Sequence, residues 1–266
     1  MIYRQISEYS YNYMEALSTL NVSTFDSYSK QFYDHSWFFF MSALCYIFMV
    51  SKLPKWMEKQ QPMPIKPIIF VWNVLIAVFS FYGAKNTLIR NCADDWSEET
   101  SFWVSAYIWS KVPEMFDTLW LILRKKKVIF LHSWHHVSVA MIMWHTGAFN
   151  PNDNLAVICM GLNYSVHTIM YSYYALSSIG IRPPYPQLIT LAQITQFVLG
   201  LSVPFWEDNY PYCRSSSITT YHRKLNRNLC SWIAFSYLVL FIHYYIRRYI
   251  MKSRERPKKI EERYND

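Results

Sequence analysis

Apolar residues along this chain come in long runs, separated by short clusters of Lys and Arg rather than by amphipathic stretches. Runs that approach the roughly 20 residues needed to cross a bilayer predict transmembrane helices. Seven are legible: residues 36–51, 67–84, 101–123, 128–146, 154–177, 187–206 and 229–246. The first is short for a full crossing. The third is unusual in holding Lys111, Glu114 and Asp117, and it ends abruptly at Arg124-Lys125-Lys126-Lys127. Residues 1–30 are polar and Tyr-rich with no apolar core, so no cleavable signal is expected and the first span serves as the insertion signal. The pattern divides the chain into a lumenal tail (1–35), an all-α integral membrane domain (36–246) and a basic cytosolic tail (247–266).

Composition agrees. Hydrophobic residues make up 52% of the chain and aromatic residues 19%, while only 17% are charged. That balance favours membrane spans over a soluble two-domain protein. Net charge is +8, but no basic stripe lies outside the span flanks, so the charge does not point to nucleic acid. Instead it orients the bundle. The links 52–66, 124–127 and 178–186 and the tail 247–266 are positive, whereas 85–101 and 147–153 are negative or nearly neutral. The alternation puts the N-terminus outside or in a lumen and the C-terminus in the cytosol. Asn21-Val22-Ser23 is a glycosylation sequon in the tail so placed, with Asn21 the acceptor. None of the five cysteines has CxxC or metal spacing. Cys92 and Cys213 fall in lumenal links, where an oxidising compartment permits a bridge. A Cys92–Cys213 disulfide is therefore expected.

Chemistry concentrates in His132-Ser133-Trp134-His135-His136, where three imidazoles at i, i+3 and i+4 share one helical face. Ionisable groups at membrane depth are costly and usually functional. Lys111, Glu114, Asp117 and Thr118 follow i, i+3, i+6 and i+7, placing them on one face of the third span. Asn163, His167 and Tyr171 are spaced by four on the fifth span, with Tyr174 nearby, and the sixth carries Gln193 and Gln196. At about 1.5 Å per residue, these groups fall roughly 9–15 Å from the cytosolic ends of their spans. Four helices thus bring polar residues to one layer. Scattered interhelical hydrogen bonds would account for Thr190, Thr195 and Ser138. They do not account for unpaired charge at that depth, which costs at least about 2.5 kcal/mol apiece. A prepaired polar chamber does. Arg124, Lys125 and Lys127 sit over it, either as topogenic charge or as a cradle for the phosphates of an anionic carrier.

Three chemistries compete. A neutral imidazole can attack a thioester or act as a base, with Glu114 or Asp117 fixing its tautomer and Lys111, Asn163 or the glutamines stabilising an oxyanion. Cys159, the deep thiol on this side, reads as packing. HxxHH is also iron-box spacing in membrane oxygenases such as desaturases. Such sites need about eight histidines in three boxes, and His35, His145, His222 and His243 lie well away from the cluster. A seven-span receptor or transporter fits the span count but asks for neither the histidines nor the carboxylates.

The residues resemble one family, the ELO very-long-chain fatty acid elongases. Lys111-Val-Pro-Glu114-Met-Phe-Asp117-Thr118 matches KxxExxDT, and His132-Ser-Trp-His135-His136 matches HxxHH. His167-Thr-Ile-Met170-Tyr171-Ser-Tyr173-Tyr174 matches HxxMYxYY, and Thr190-Leu-Ala-Gln193-Ile-Thr-Gln196 matches TxxQxxQ. The lead-in Lys125-Lys126-Lys127-Val-Ile-Phe-Leu-His132 looks like the branch acting on saturated and monounsaturated chains; the Gln usual in the polyunsaturated branch is missing. Lys258-Lys259 departs from a dilysine retrieval signal, since it does not occupy the third and fourth positions from the end. The resemblance implies an endoplasmic reticulum protein of seven helices, six of them forming a barrel around an acyl-CoA tunnel. It implies condensation of acyl-CoA with malonyl-CoA to a 3-oxoacyl-CoA two carbons longer, with CO2 and CoA released. No cofactor or metal is implied beyond those two substrates. His135 would accept the acyl group with His167 facing it. Lys111, Glu114, Asp117, His132, His136 and Asn163 would tune the imidazoles. Thr118, Arg124, Lys125, Lys127, Tyr171, Tyr174, Gln193 and Gln196 would hold the substrate. Partners implied are membrane lipid and the reductases and dehydratase of the elongation cycle, with a homodimer left open.

Overall fold

A computed structural model describes residues 27–88, 98–149, 154–181, 183–207 and 220–251. The sequon at Asn21 and the expected Cys92–Cys213 bridge lie outside the described residues. Among those residues the chain is helical, without a strand: α1 (Ser27–Asp34), α2 (Ser36–Met57), α3 (Lys66–Leu88), α4 (Glu98–Ser110), α5 (Phe116–Leu123), α6 (Phe130–Phe149), α7 (Asn154–Ser178), α8 (Pro186–Glu207) and α9 (Thr220–Tyr245), the last running into a π-helical turn, Ile246–Met251.

The protein is a multi-pass membrane protein. Four helical stretches are long and apolar enough to cross a bilayer: Ser36–Met57, Lys66–Leu88, Pro186–Val203 and Lys224–Met251. Their most apolar faces point outward, as Trp37, Phe40, Leu44 and Phe48 do on α2 and Val71, Leu75, Val78 and Tyr82 on α3. Polar residues turn inward: Asn73, Ser80 and Thr87, spaced by seven on α3, are all buried. That inversion of a water-soluble protein is what lipid selects. α6 and α7, of 20 and 25 residues, fall outside the four because His, Asn, Ser and Tyr dilute their apolar character.

Neighbouring helices pack in the pairs α3–α7, α7–α8, α8–α9, α9–α6, α6–α4 and α4–α3, while α2 lies on α6 and α5. α3 and α7 approach closely because each offers a glycine to a side chain of the other. A Cβ on Gly83 would stand 2.5 Å from the Tyr164 ring, and one on Gly161 would stand 2.6 Å from Leu88. Small residues at such contacts are the usual means of close approach in lipid.

Three expectations change. The stretch beginning at residue 36 does not stop at 51 but continues to Met57, with Pro54 inside it, giving a 22-residue helix of full spanning length. The segment before it, read from the sequence only as a polar tail, contains a helix. α1 seats Phe32, only 1% exposed, among Phe39, Val104 and Ile108, and the Phe32 carbonyl accepts from Trp144 Nε1 at 3.0 Å. One anchoring aromatic leaves no periodic signal in a polar sequence. The third span, finally, is two helices. α4 ends at Ser110, a 3-10 turn covers Pro113–Met115, and α5 starts at Phe116. Pro113 has no N–H to give the preceding turn, so the backbone tightens to i→i+3 bonds such as Val112 N to Trp109 O and Met115 N to Val112 O.

Candidate functional site

The break in the third span decides how its polar residues are used. In 3-10 geometry residues three apart eclipse one another, which places Lys111 directly under Glu114. Lys111 Nζ donates to Glu114 Oε1 at 2.7 Å, and both side chains are buried. Ser110 Oγ donates to the same oxygen at 2.7 Å. Glu114 Oε2 lies 3.9 Å from His167 Nδ1 on α7 and has no hydrogen-bond partner. Beyond the turn, the expected single face splits. Asp117 points toward α3 and α7, where its carboxylate accepts from Trp72 Nε1 at 2.6 Å and from the Tyr171 hydroxyl. Thr118 points the other way, toward α2 and α6. Its hydroxyl is bonded to Tyr46 at 2.8 Å and to His132 Nε2 at 2.9 Å.

α6 carries the histidines as a cluster of mutually inclined rings. The His132 and His136 ring centroids are 4.4 Å apart, and those of His135 and His136 are 5.5 Å apart. His136 is buried, with Nδ1 unpartnered. His135 turns instead to α9: its ring lies 5.0 Å from that of Tyr237, whose hydroxyl is bonded to Ser138 at 2.7 Å. α7 adds Asn163, whose Oδ1 accepts from Tyr107 at 2.9 Å. Gln193 of α8 reaches Met170 Sδ at 3.3 Å.

These groups surround two cavities. The larger, about 600 Å³, has Glu114, Asp117, His132, His135, His136, Asn163, His167, Tyr171, Tyr174, Gln193 and Gln196 in its walls. Arg124, Pro186 and Arg248 line it from the α5 end, the α8 start and the π-helical turn. The smaller, about 140 Å³, runs between α6, α7, α8 and α9 past Cys159, Asn226 and Cys230, with mostly apolar neighbours. His135, Asn163, Gln196 and Phe197 belong to both. The histidine thus stands where a polar chamber meets an apolar recess.

Not every expected residue reaches that space. Lys111 and Thr118 stand behind the cavity wall, holding Glu114 and His132. Of the basic cluster only Arg124 lines the chamber. Lys125 takes a left-handed backbone (φ 54°) at the end of α5 and directs Nζ to the Glu58 and Gln60 carbonyls, at 3.0 and 3.1 Å, so it braces the α2–α3 link. Lys127 is exposed away from the cavity. Of the remaining histidines, His35 bonds the Gln31 carbonyl at 2.7 Å and His145 bonds Asn226 at 3.0 Å. Among the described residues, no three His, Cys, Asp or Glu side chains converge as metal ligands. Sequence reasoning missed Trp72, Tyr107, Tyr237 and Arg248. Tyr237, Phe241 and Tyr244 recur at helical spacing on the last span, a signal that was present but indistinguishable from packing.

Comparison with known proteins gives a consistent result. The ELO profile, described as the GNS1/SUR4 family, matches residues 31–257. A very long chain fatty acid elongase 6 from Homo sapiens is 34% identical over 222 residues, covering 76% of this chain and 80% of its own. The elongase 6 of Gallus gallus is 31% identical over 274 residues, or 91% of this chain and 98% of its own. An elongase 4 from Trypanosoma cruzi is 30% identical over 79% of this chain and 81% of its own.

Proposed function

The chain belongs to the ELO family, and on that premise we propose that this enzyme of fatty acid elongation performs the condensing step, joining a long-chain acyl-CoA to malonyl-CoA. The observation that carries the reading is the position of His135, shared by the polar chamber and the apolar recess. A thioester has the same two halves, a polar carrier and an apolar chain. With the chain in the recess and the carrier in the chamber, the acyl carbonyl lies at the imidazole. The pairings of α3, α7, α8, α9, α6 and α4 close on themselves, which supports a six-helix barrel with α2 outside and seven spans in all.

In the first step a ring nitrogen of His135 attacks the thioester carbon. The C–S bond breaks, the imidazole proton passes to the departing thiolate, and free CoA leaves an acyl-imidazole behind. Asn163 supplies an N–H donor for the oxyanion. In the second step malonyl-CoA takes the vacated chamber and loses CO2. The resulting enolate attacks the acyl-imidazole carbonyl, the C–N bond breaks, and the departing ring nitrogen takes up one proton relayed through His167, giving the 3-oxoacyl-CoA and restoring neutral His135. His167, with the Glu114 carboxylate 3.9 Å from its Nδ1, faces the chamber as the partner base. Arg124 and Arg248 offer cations to the carrier's phosphates. Water must be kept out, because an acyl-imidazole hydrolyses readily, and a site walled by helices in lipid excludes it. Residence in the endoplasmic reticulum, with the C-terminus cytosolic, brings both thioesters to the chamber from the cytosol.

Radiolabelled malonyl-CoA incubated with microsomes expressing this chain, across a panel of acyl-CoAs, should give labelled products two carbons longer. Acyl-CoA alone should leave an acyl adduct on His135 in the mass spectrum. His135→Ala should abolish condensation; wild-type turnover in that variant would refute the assignment. One or two irons per purified chain would instead revive the oxygenase reading.

A further inference from the structure

Tyr107 belongs to none of the four motifs, yet it touches both parts of the polar cluster. It lies on α4, one turn before Lys111, is buried, and lines the smaller cavity. Its O–H donates to Asn163 Oδ1 at 2.9 Å, and its ring carries the Lys111 ammonium 3.9 Å from the centroid. A phenol has one hydrogen to give, and here Asn163 receives it. An asparagine side chain has two unlike ends, a carbonyl that accepts and an NH2 that donates twice. With the carbonyl engaged by Tyr107, the NH2 is the end left for the space where the two cavities meet, beside His135. The distinction matters chemically. A carbonyl aimed at that point repels a developing oxyanion, whereas an N–H stabilises it.

We propose that Tyr107 is a positioning residue that sets the Asn163 amide with its nitrogen toward the junction of the cavities. Its ring also seats the Lys111 ammonium, so one side chain ties the Lys111–Glu114 pair to the oxyanion donor. The consequence for rate rests on the acyl-transfer reading above. The hydrogen bond itself does not.

The test is a double-mutant cycle on the purified full-length protein with Tyr107→Phe, Asn163→Ala and the two combined. Tyr107→Phe keeps the ring under Lys111 and removes only the hydroxyl. Its kcat for condensation should fall about tenfold, with KM for both thioesters within about twofold of wild type. Asn163→Ala should lose roughly a hundredfold. The double variant should be no slower than Asn163→Ala, because Tyr107 acts through it. Thermal unfolding without substrate should show the same coupling: the double variant melts with Asn163→Ala rather than below it. Tyr107→Phe with an unchanged kcat or with only a raised KM overturns the proposal, as do rate losses that multiply. Additive melting shifts overturn the contact itself, and that arm stands even if wild-type protein condenses no thioester, the outcome that removes the acyl-transfer reading.

Discussion

Glu114 gathers more of the site than any other side chain. One oxygen accepts from Lys111 and Ser110, each at 2.7 Å, and the other faces His167 Nδ1 at 3.9 Å. Removing one partner of a buried ion pair leaves an uncompensated charge, at a cost of about 3–5 kcal/mol. Lys111→Met should therefore lower stability by about that amount in thermal unfolding, and adding Glu114→Gln should recover much of the loss. A double variant no more stable than the single would show that the two charges do not support one another. Type and spacing singled these residues out but could not give their partners. Asp117 and Thr118 are adjacent in sequence and end on opposite sides of the same helix, one serving Tyr171 and the other His132.

At the scale of elements, the chain's small residues and its one proline inside the third span matter most. Gly83 meets the face of Tyr164, which is itself buried and donates its hydroxyl to the Trp103 carbonyl at 3.0 Å. The ring has nowhere to go. Gly83→Ala should destabilise the protein by about 1–3 kcal/mol, read as a lowered Tm in detergent. Gly200→Ala is the matched control, since a Cβ there finds only Cys159 Sγ at an ordinary 3.6 Å. Equal stability of the two variants would mean that α3 and α7 do not approach as closely as described. Pro113 acts differently. It breaks a span whose hydrophobicity alone reads as continuous, and the tightened turn stacks Lys111 on Glu114. Hydropathy found the run and the proline was in plain view. Whether a proline kinks, breaks or merely bends a helix depends on what packs beside it.

For the molecule as a whole, the decisive feature is that two cavities share a wall. The apolar recess of about 140 Å³ begins at His135 and is bounded by α6, α7, α8 and α9. Filling it should leave the polar chamber untouched. Gly200→Leu, directed into the recess beside Cys159, should still fold and still acylate His135, while the longest acyl-CoA it elongates becomes shorter. An unchanged product distribution would mean that the chain lies elsewhere. The same view explains what happened to the basic cluster. Four cations in a row look equivalent in sequence, but a helix end presents them in different directions, so Arg124 lines the chamber while Lys125 braces a loop.

By itself the sequence determined that this is a helical membrane protein, and it picked out most of the polar residues that gather around the chamber. Lipid makes those features legible, because apolar length and the cost of buried charge act on each span separately. Tertiary structure alone decided that α9 and its π-helical turn supply Tyr237 and Arg248, that α1 docks through Phe32, and that His135 rather than its neighbours stands between chamber and recess. Those outcomes follow from helix rotation and neighbour choice, which depend on close packing between segments distant in the chain and leave no periodic trace within any one of them.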